Sequence, residues 1–191
     1  MEFFNYDTNL KPEKGRLLIS QPFLPDPNFE RTVVLLCEHN DEGSFGFVLN
    51  KSTQLTVDEI FEGINDLHAK VYIGGPVQQN TFHFVHCDPD MENSNEIREG
   101  LFWGGNFDQF KIWAQTGNID EEAYRFFVGY SGWDAGQLEK ELESKSWIVA
   151  EISDPLSIFT ISPEDLWKET LRNMGGRFQV YSGYPTDPRL N

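Results

Sequence analysis

The hydrophobic pattern of the first fifty residues is that of a strand hairpin. Thr32-Val33-Val34-Leu35-Leu36-Cys37 is β-branched and almost wholly apolar, as a strand buried on both faces should be. Residues 15–20 read as a shorter strand before it. Three prolines between 21 and 27 make the intervening stretch a rigid loop, because proline offers no ladder donor. Asn40, Asp41 and Gly43 are turn formers, and residues 45–50 return as a strand. Residues 32–50 are therefore predicted to form a hairpin with a longer loop.

Further along, the period changes repeatedly. A short helix is predicted after Thr56, with Glu59 as its capping-box partner. Residues 70–73 and 81–87 read as strands, 88–99 as an acidic loop, and 101–105 as a strand ending in two glycines. Phe107, Phe110 and Trp113 recur at helical spacing behind the N-cap candidate Asn106. A strand over 124–130 leads into a glycine-rich turn and a helix over 135–143, with Asp134 as cap and Gln137 as its capping-box partner. Residues 147–152 form a late strand. Ser162-Pro163 opens a last helix, whose buried stripe is Trp167, Leu171 and Met174 and which Gly175-Gly176 ends. Residues 1–14 read as a loose N-terminal arm and 181–191 as an irregular tail. Strands that run in sequence and then interleave with helices argue for α+β or mixed α/β in one domain spanning 1–191.

Composition supports that size and narrows the partners. Among 191 residues, 39% are hydrophobic, with 16 Phe and 5 Trp to fill a core. No apolar run approaches the roughly 20 residues of a membrane helix, and the first residues lack a signal-peptide pattern. Two cysteines do not make a disulfide framework. The expected location is the cytoplasm, with both thiols reduced. Against 15 basic residues stand 31 acidic ones, a net charge of −16, which repels phosphate backbones and anionic lipid. The best linear basic group, Lys11, Lys14 and Arg16, is interrupted by Glu13. Direct nucleic-acid binding and membrane association are not expected.

Candidate chemistry is sparse. Gly129-Tyr130-Ser131-Gly132-Trp133 has the strand-turn-helix setting of a nucleophile elbow, but Trp133 stands where G-x-S-x-G requires glycine. Trp133 is read as a structural anchor at that turn. Cys37 and His39, two apart at a strand end, share a face by alternation, so the imidazole could activate the thiol. Cys37 is accordingly expected to outreact Cys87, which precedes Asp88. His83 and Cys87 share a strand face while His86 points away, which opposes a metal site. Residues 88–99 carry acidic side chains at several EF-hand positions, yet Asn93 stands where the loop needs glycine. No glycine-rich phosphate loop follows a strand. No cofactor or metal is expected.

Four blocks together resemble the YqgE/AlgH family. The pattern GRLLIS-P---D--F-R-V-LL--H---G--G-VLN falls on residues 15–50, including Phe29, Arg31, Cys37, His39, Asn40, Gly46 and Asn50. Y-GGPV falls on 72–77, G-F-GG on 100–105, and GYSGW--GQLE-E on 129–141. The resemblance covers about 15–191 and is looser over 88–96 and the tail. It implies a single α+β domain of a bacterial, cytosolic protein, with a bifurcated, mostly antiparallel sheet curled into a pseudo-barrel flanked by helices. Members are commonly labelled transcriptional regulators, no activity is established for the family, and no catalytic residues carry over. A regulatory or interaction protein with a protein partner or small ligand is therefore expected, rather than an enzyme. The alternative is an enzyme or ligand-binding protein with a cleft near Cys37 and His39. Asn40, Asn50, Ser131 and Gln137 are candidates to line a shared groove.

Overall fold

The computed structural model describes residues 10–152 and 154–186. Its strands are β1 (Leu17–Ser20), β2 (Val33–Asn40), β3 (Gly43–Val48), β4 (Ser52–Thr56), β5 (Lys70–Ile73), β6 (Val77–His86), β7 (Asn95–Arg98), β8 (Leu101–Trp103), β9 (Tyr124–Asp134) and β10 (Trp147–Ala150). The helices are α1 (Val57–Ile60), α2 (Phe107–Gln115), α3 (Gln137–Glu143), α4 (Ser157–Thr160), α5 (Pro163–Met174) and α6 (Gly176–Ser182). The strands join in the order β10-β1-β2-β3-β9-β6-β8-β7, and β5, carrying β4, branches from β9. Among the described residues, only the β5–β9 pairing is parallel. This is an α+β fold with a bifurcated, mostly antiparallel sheet.

The fork lies within β9. Residues 126–128 pair with β5, residues 131–134 pair with β3, and β6 runs along the other edge. Gly129 sits between the two halves at φ +68°. The extra phase change puts Phe127 and Tyr130 against the same interior cluster, where strict alternation would separate them. The partner strand must approach closely here. A Cβ on Gly75 would lie 2.2 Å from the Tyr130 carbonyl oxygen, so only glycine fits.

Three apolar clusters follow from the two sheet faces. The interior one gathers Leu35, Cys37, Phe47, Phe127 and Ile148, and α5 adds Leu166, Trp167 and Leu171. On the outside, α2 buries Phe110 and Ala114 over Val71, Phe84 and Phe126. Beside it, α3 buries Leu138 over Leu18, Val34, Trp133 and Trp147. The curled sheet does not close by a ladder. Its two ends meet through side chains instead: the Arg98 guanidinium of β7 donates to the Ile152 carbonyl just past β10, at 2.7 Å. Gly15, just before β1, lies against Ile97 and Arg98.

Several expected elements shift. The strand expected to end at 130 runs to Asp134, because Trp133 and Ser44 keep the β3 pairing going. The acidic loop contains β7, a polar edge strand with only Ile97 buried, and such a strand has little hydrophobic signal to read. β4 escaped notice for the same reason: no residue in it is buried. Gly175 does end α5, but α6 follows at once and runs into the expected tail. Residues 10–14 carry no helix or strand. The rest of the expected arm and the end of the tail, residues 187–191, lie outside the described residues.

Candidate functional site

Cys37 and His39 do not share a face. The register between β2 and β3 slips between Leu36 and Glu38, and Cys37 is the extra residue of this bulge. Cys37 joins Leu35 and Phe47 in the interior cluster and is fully buried. His39 pairs across the ladder with Ser44 on the opposite, α3-covered side. Its Nδ1 is 2.7 Å from the Ser44 hydroxyl and its Nε2 is 3.7 Å from Glu139 of α3. Burial, followed by the Glu38 charge, pushes the Cys37 thiol well above its ordinary range. The expected activation of Cys37 by His39 therefore has no geometric basis. Cys87 is only half-buried, and its thiol is also raised, by burial first and then by Asp154.

The other candidates mostly bond to backbone. Ser131 is fully buried and its hydroxyl donates to the Gly74 carbonyl at 3.0 Å, which ties the two arms of the fork. Asn50 bridges the turn before β2: its Nδ2 donates to the Arg31 carbonyl at 2.8 Å and its Oδ1 accepts from Val33 at 2.9 Å. Asn40 accepts the Glu42 N–H at 2.8 Å in the hairpin turn. Gln137 accepts the Asp134 N–H at 3.0 Å and donates to Glu141 at 2.9 Å. The structure brings His39 to α3, the helix that carries Gln137, and scatters Cys37, Asn50 and Ser131 to other places.

Glu141, which sequence reasoning passed over, is the hub beside Trp133. The indoles of Trp133 and Trp147 both donate to its Oε2, at 2.9 and 2.7 Å, while Gln137 holds Oε1. The two indole donors fix α3 to β9 and β10, and Gln137 of the same helix holds the carboxylate in place. Two arginines were also missed. Arg125 is 5% exposed, donates to the Leu49 and Phe159 carbonyls, and lies 4.7 Å over the Tyr72 ring. Burial lowers its pKa. Arg31, at φ +49°, lies 4.7 Å over Trp167 and donates to the Tyr184 carbonyl. The signal available for Arg125 was a lone charge inside an apolar strand.

The histidines of β6 stand apart. His86 is fully buried between the rings of Phe102 and Tyr124, at 5.6 and 5.1 Å. The Asp88 N–H donates to its Nδ1 at 3.2 Å, which assigns the proton to Nε2, and Nε2 donates to the Gly104 carbonyl at 2.9 Å. Burial lowers its pKa and keeps the ring neutral. His83 faces Phe47 and Tyr130 on the interior side. Among the described residues, no group of three or more His, Cys, Asp or Glu is placed to hold a metal ion.

Among the described residues, clefts open on the surface away from the six candidates. One of about 320 Å³ lies at the seam where the ends of the sheet meet, between Lys14, Arg16, Arg98 and Glu151. A second of about 260 Å³ lies between the end of β10 and helices α4 and α5. A third of about 360 Å³ is walled by Pro22, Phe23 and Pro25.

A forked sheet with glycines at the fork, a serine tying its arms and a tryptophan-carboxylate hub is the geometry behind the four sequence blocks. The AlgH-like family model matches residues 17–179, and the chain belongs to this family. A UPF0301 protein of Cytophaga hutchinsonii is 47% identical over 180 residues, covering 93% of this chain and 98% of that protein. A UPF0301 protein of Chlorobium limicola is 42% identical, covering 95% and 97%. The solution structure of the AlgH protein from Pseudomonas aeruginosa has a TM-score of 0.71 at 30% identity, covering 90% of this chain and 94% of that one. A crystal structure of a Corynebacterium diphtheriae protein has a TM-score of 0.76 at 24% identity, covering 92% and 94%, which is a likeness of fold. No helix among the described residues is long and apolar enough to cross a membrane.

Proposed function

We propose that this chain is a cytoplasmic regulatory protein that acts by docking a protein partner, and that it does not read DNA directly. The observation that carries this reading is the solvent-facing aromatic patch around α2. Phe107 is 40% exposed and touches the half-buried rings of Phe61 and Phe82, at 5.4 and 6.4 Å. Ile112 is 58% exposed but lies about 140° round the same helix from Phe107, outside this cluster. A large ring left in water over a partly open aromatic cluster suits the centre of a protein interface. With a net charge of −16, the complementary partner surface is apolar at its centre and basic at its rim. The candidate side chains of the sequence blocks support the same reading, since four of them bond chiefly to backbone.

Affinity capture at native abundance, with quantitative mass spectrometry, tests it. Proteins held by the wild-type chain should be lost with Phe107→Asp and kept with Ile112→Asp on the far side of the helix, while circular dichroism stays unchanged in both. Equal capture by folded variants would remove the patch from the interface.

One contact favours a second reading, catalysis. Ser44, His39 and Glu139 form a row in which a hydroxyl meets an imidazole backed by a carboxylate. The Ser44 side chain is buried at 9% exposure, so a substrate would need β3 or α3 to move. Labelling by a fluorophosphonate, abolished in Ser44→Ala, would promote this reading over docking.

A further inference from the structure

We infer that the seam of the sheet is a binding site for a small amphiphile with one carboxylate head and a short apolar tail. The open seam is the unusual feature. Among the described residues no ladder joins β7 to the end of β10, and Arg98 bonds to the Ile152 carbonyl there. The cleft left there has Lys14, Arg16 and Arg98 on its walls against Glu13 and Glu151, three cations to two carboxylates. Glu38 pairs with Lys14 at the rim, so the charges around the cleft balance, and in a chain of net charge −16 a wall without negative excess is where an anion is least repelled.

The cations are not equally engaged. Arg16 reaches Glu13 at 3.2 Å and Glu151 at 3.6 Å, and Lys14 reaches Glu38 at 3.6 Å. Arg98 forms no ion pair with a carboxylate among the described residues. Its guanidinium has five donors, and one N–H is held by Ile152. The remaining fork matches a carboxylate in bidentate geometry. One free guanidinium suits one carboxylate, and is far too little for a phosphate backbone, which takes many such contacts.

The tail has its own compartment. Glu151 and Ile152 also wall the neighbouring cleft, whose other sides include Leu17, Ile158, Ile161 and Met174. Its floor is the apolar end of the interior cluster. Glu151 and Ile152 form the shared rim of the two clefts, and the Glu151 side chain, 63% exposed, can swing off Arg16 so that a ligand lies across that rim. Head in the charged cleft and tail among the isoleucines is the arrangement this pair of clefts fits.

The test is a titration of the isotope-labelled chain with sodium decanoate below its micelle concentration, followed by amide chemical shifts. Saturable shifts are expected at residues 13–16, 96–98, 150–152 and along α4 and α5. Decanol and decyltrimethylammonium should bind at least about tenfold more weakly, as should decanoate to Arg98→Gln, with Arg98→Lys intermediate. Ile161→Trp, which fills the apolar cleft, should also weaken decanoate. The wild-type shift map stands even if Arg98→Gln opens the seam and unfolds. Shifts elsewhere, no saturable binding, or equal binding of the cationic amphiphile would overturn the inference. This outcome is independent of whether the α2 patch docks a protein.

Discussion

At the scale of single residues, burial decides the chemistry of the two thiols. Cys37 has no exposed surface and its thiol is pushed well up, by desolvation before any charge. Cys87 is half-buried and pushed up for the same leading reason. Only the thiolate attacks an alkylating reagent, and the reagent must also reach it. In the native chain Cys87 is expected to react first with iodoacetamide near neutral pH, and Cys37 to wait on opening of the strand. Peptide mass spectrometry over a time course reads the order, and faster loss of Cys37 would reverse the argument. The expectation from sequence was the opposite, and the bulge explains why. Alternation counts two residues as one face, while an inserted residue turns the next side chain over. Nothing in Cys37-Glu38-His39 marks a bulge.

The second residue-scale prediction concerns Glu141. Replacing it by Leu removes the acceptor of two indole N–H groups and of Gln137. The loss should be about 2–4 kcal/mol in chemical denaturation, since a bond to a charged acceptor contributes about 1.5–3 kcal/mol and orphaned donors add to that. Trp133→Ala, at 5% exposure, should cost about 3–5 kcal/mol. A loss below about 1 kcal/mol for Trp133→Ala, joined to lost partner binding, would make this stretch a recognition surface. The anchoring role of Trp133 was legible from a large ring beside small glycines. Its partner was not, because Glu141 reads as one more acid on an exposed helix.

At the scale of elements, the fork is the weak point of the design and glycine is its condition. Gly75 has φ +157° and a Cβ there would press on Tyr130 and Ser131 backbone. Gly100 also has a positive φ, +75°, but nothing within 4 Å of the added atom. Gly100→Ala should therefore cost only about 1–2 kcal/mol of backbone strain. Gly75→Ala adds displacement of a strand, so it should cost at least about 2 kcal/mol more, or prevent folding. Thermal unfolding of the pair separates the two terms, and equal losses would mean that the fork can relax. Most elements that bury an apolar face were legible, because period reports burial: β2, α2 and the Trp167–Leu171 stripe of α5. β4 and β7 were not, because edge strands bury little. The fork was visible only as glycines and through the resemblance, since a branch is a pairing choice between distant segments.

At the scale of the whole molecule, charge sets what can approach. Among the described basic residues of the best linear group, Lys14 meets Glu38 and Arg16 meets Glu13 and Glu151. The group that could have touched phosphates is thus largely neutralised by its own surface, on a chain of net charge −16. Nucleic-acid affinity comes mainly from releasing counterions, and needs several unpaired cations on one face. The isolated chain is expected to show no saturable binding to genomic DNA fragments at physiological salt. Lowering the salt should not rescue binding, because weaker screening strengthens the repulsion as well. The same repulsion acts within the chain, so added salt should raise its melting temperature modestly. Fluorescence anisotropy and a salt series of melts check both on one sample. Sub-micromolar, sequence-specific binding would show that a local basic face outweighs the net charge, and would turn the reading from a docked partner to DNA itself.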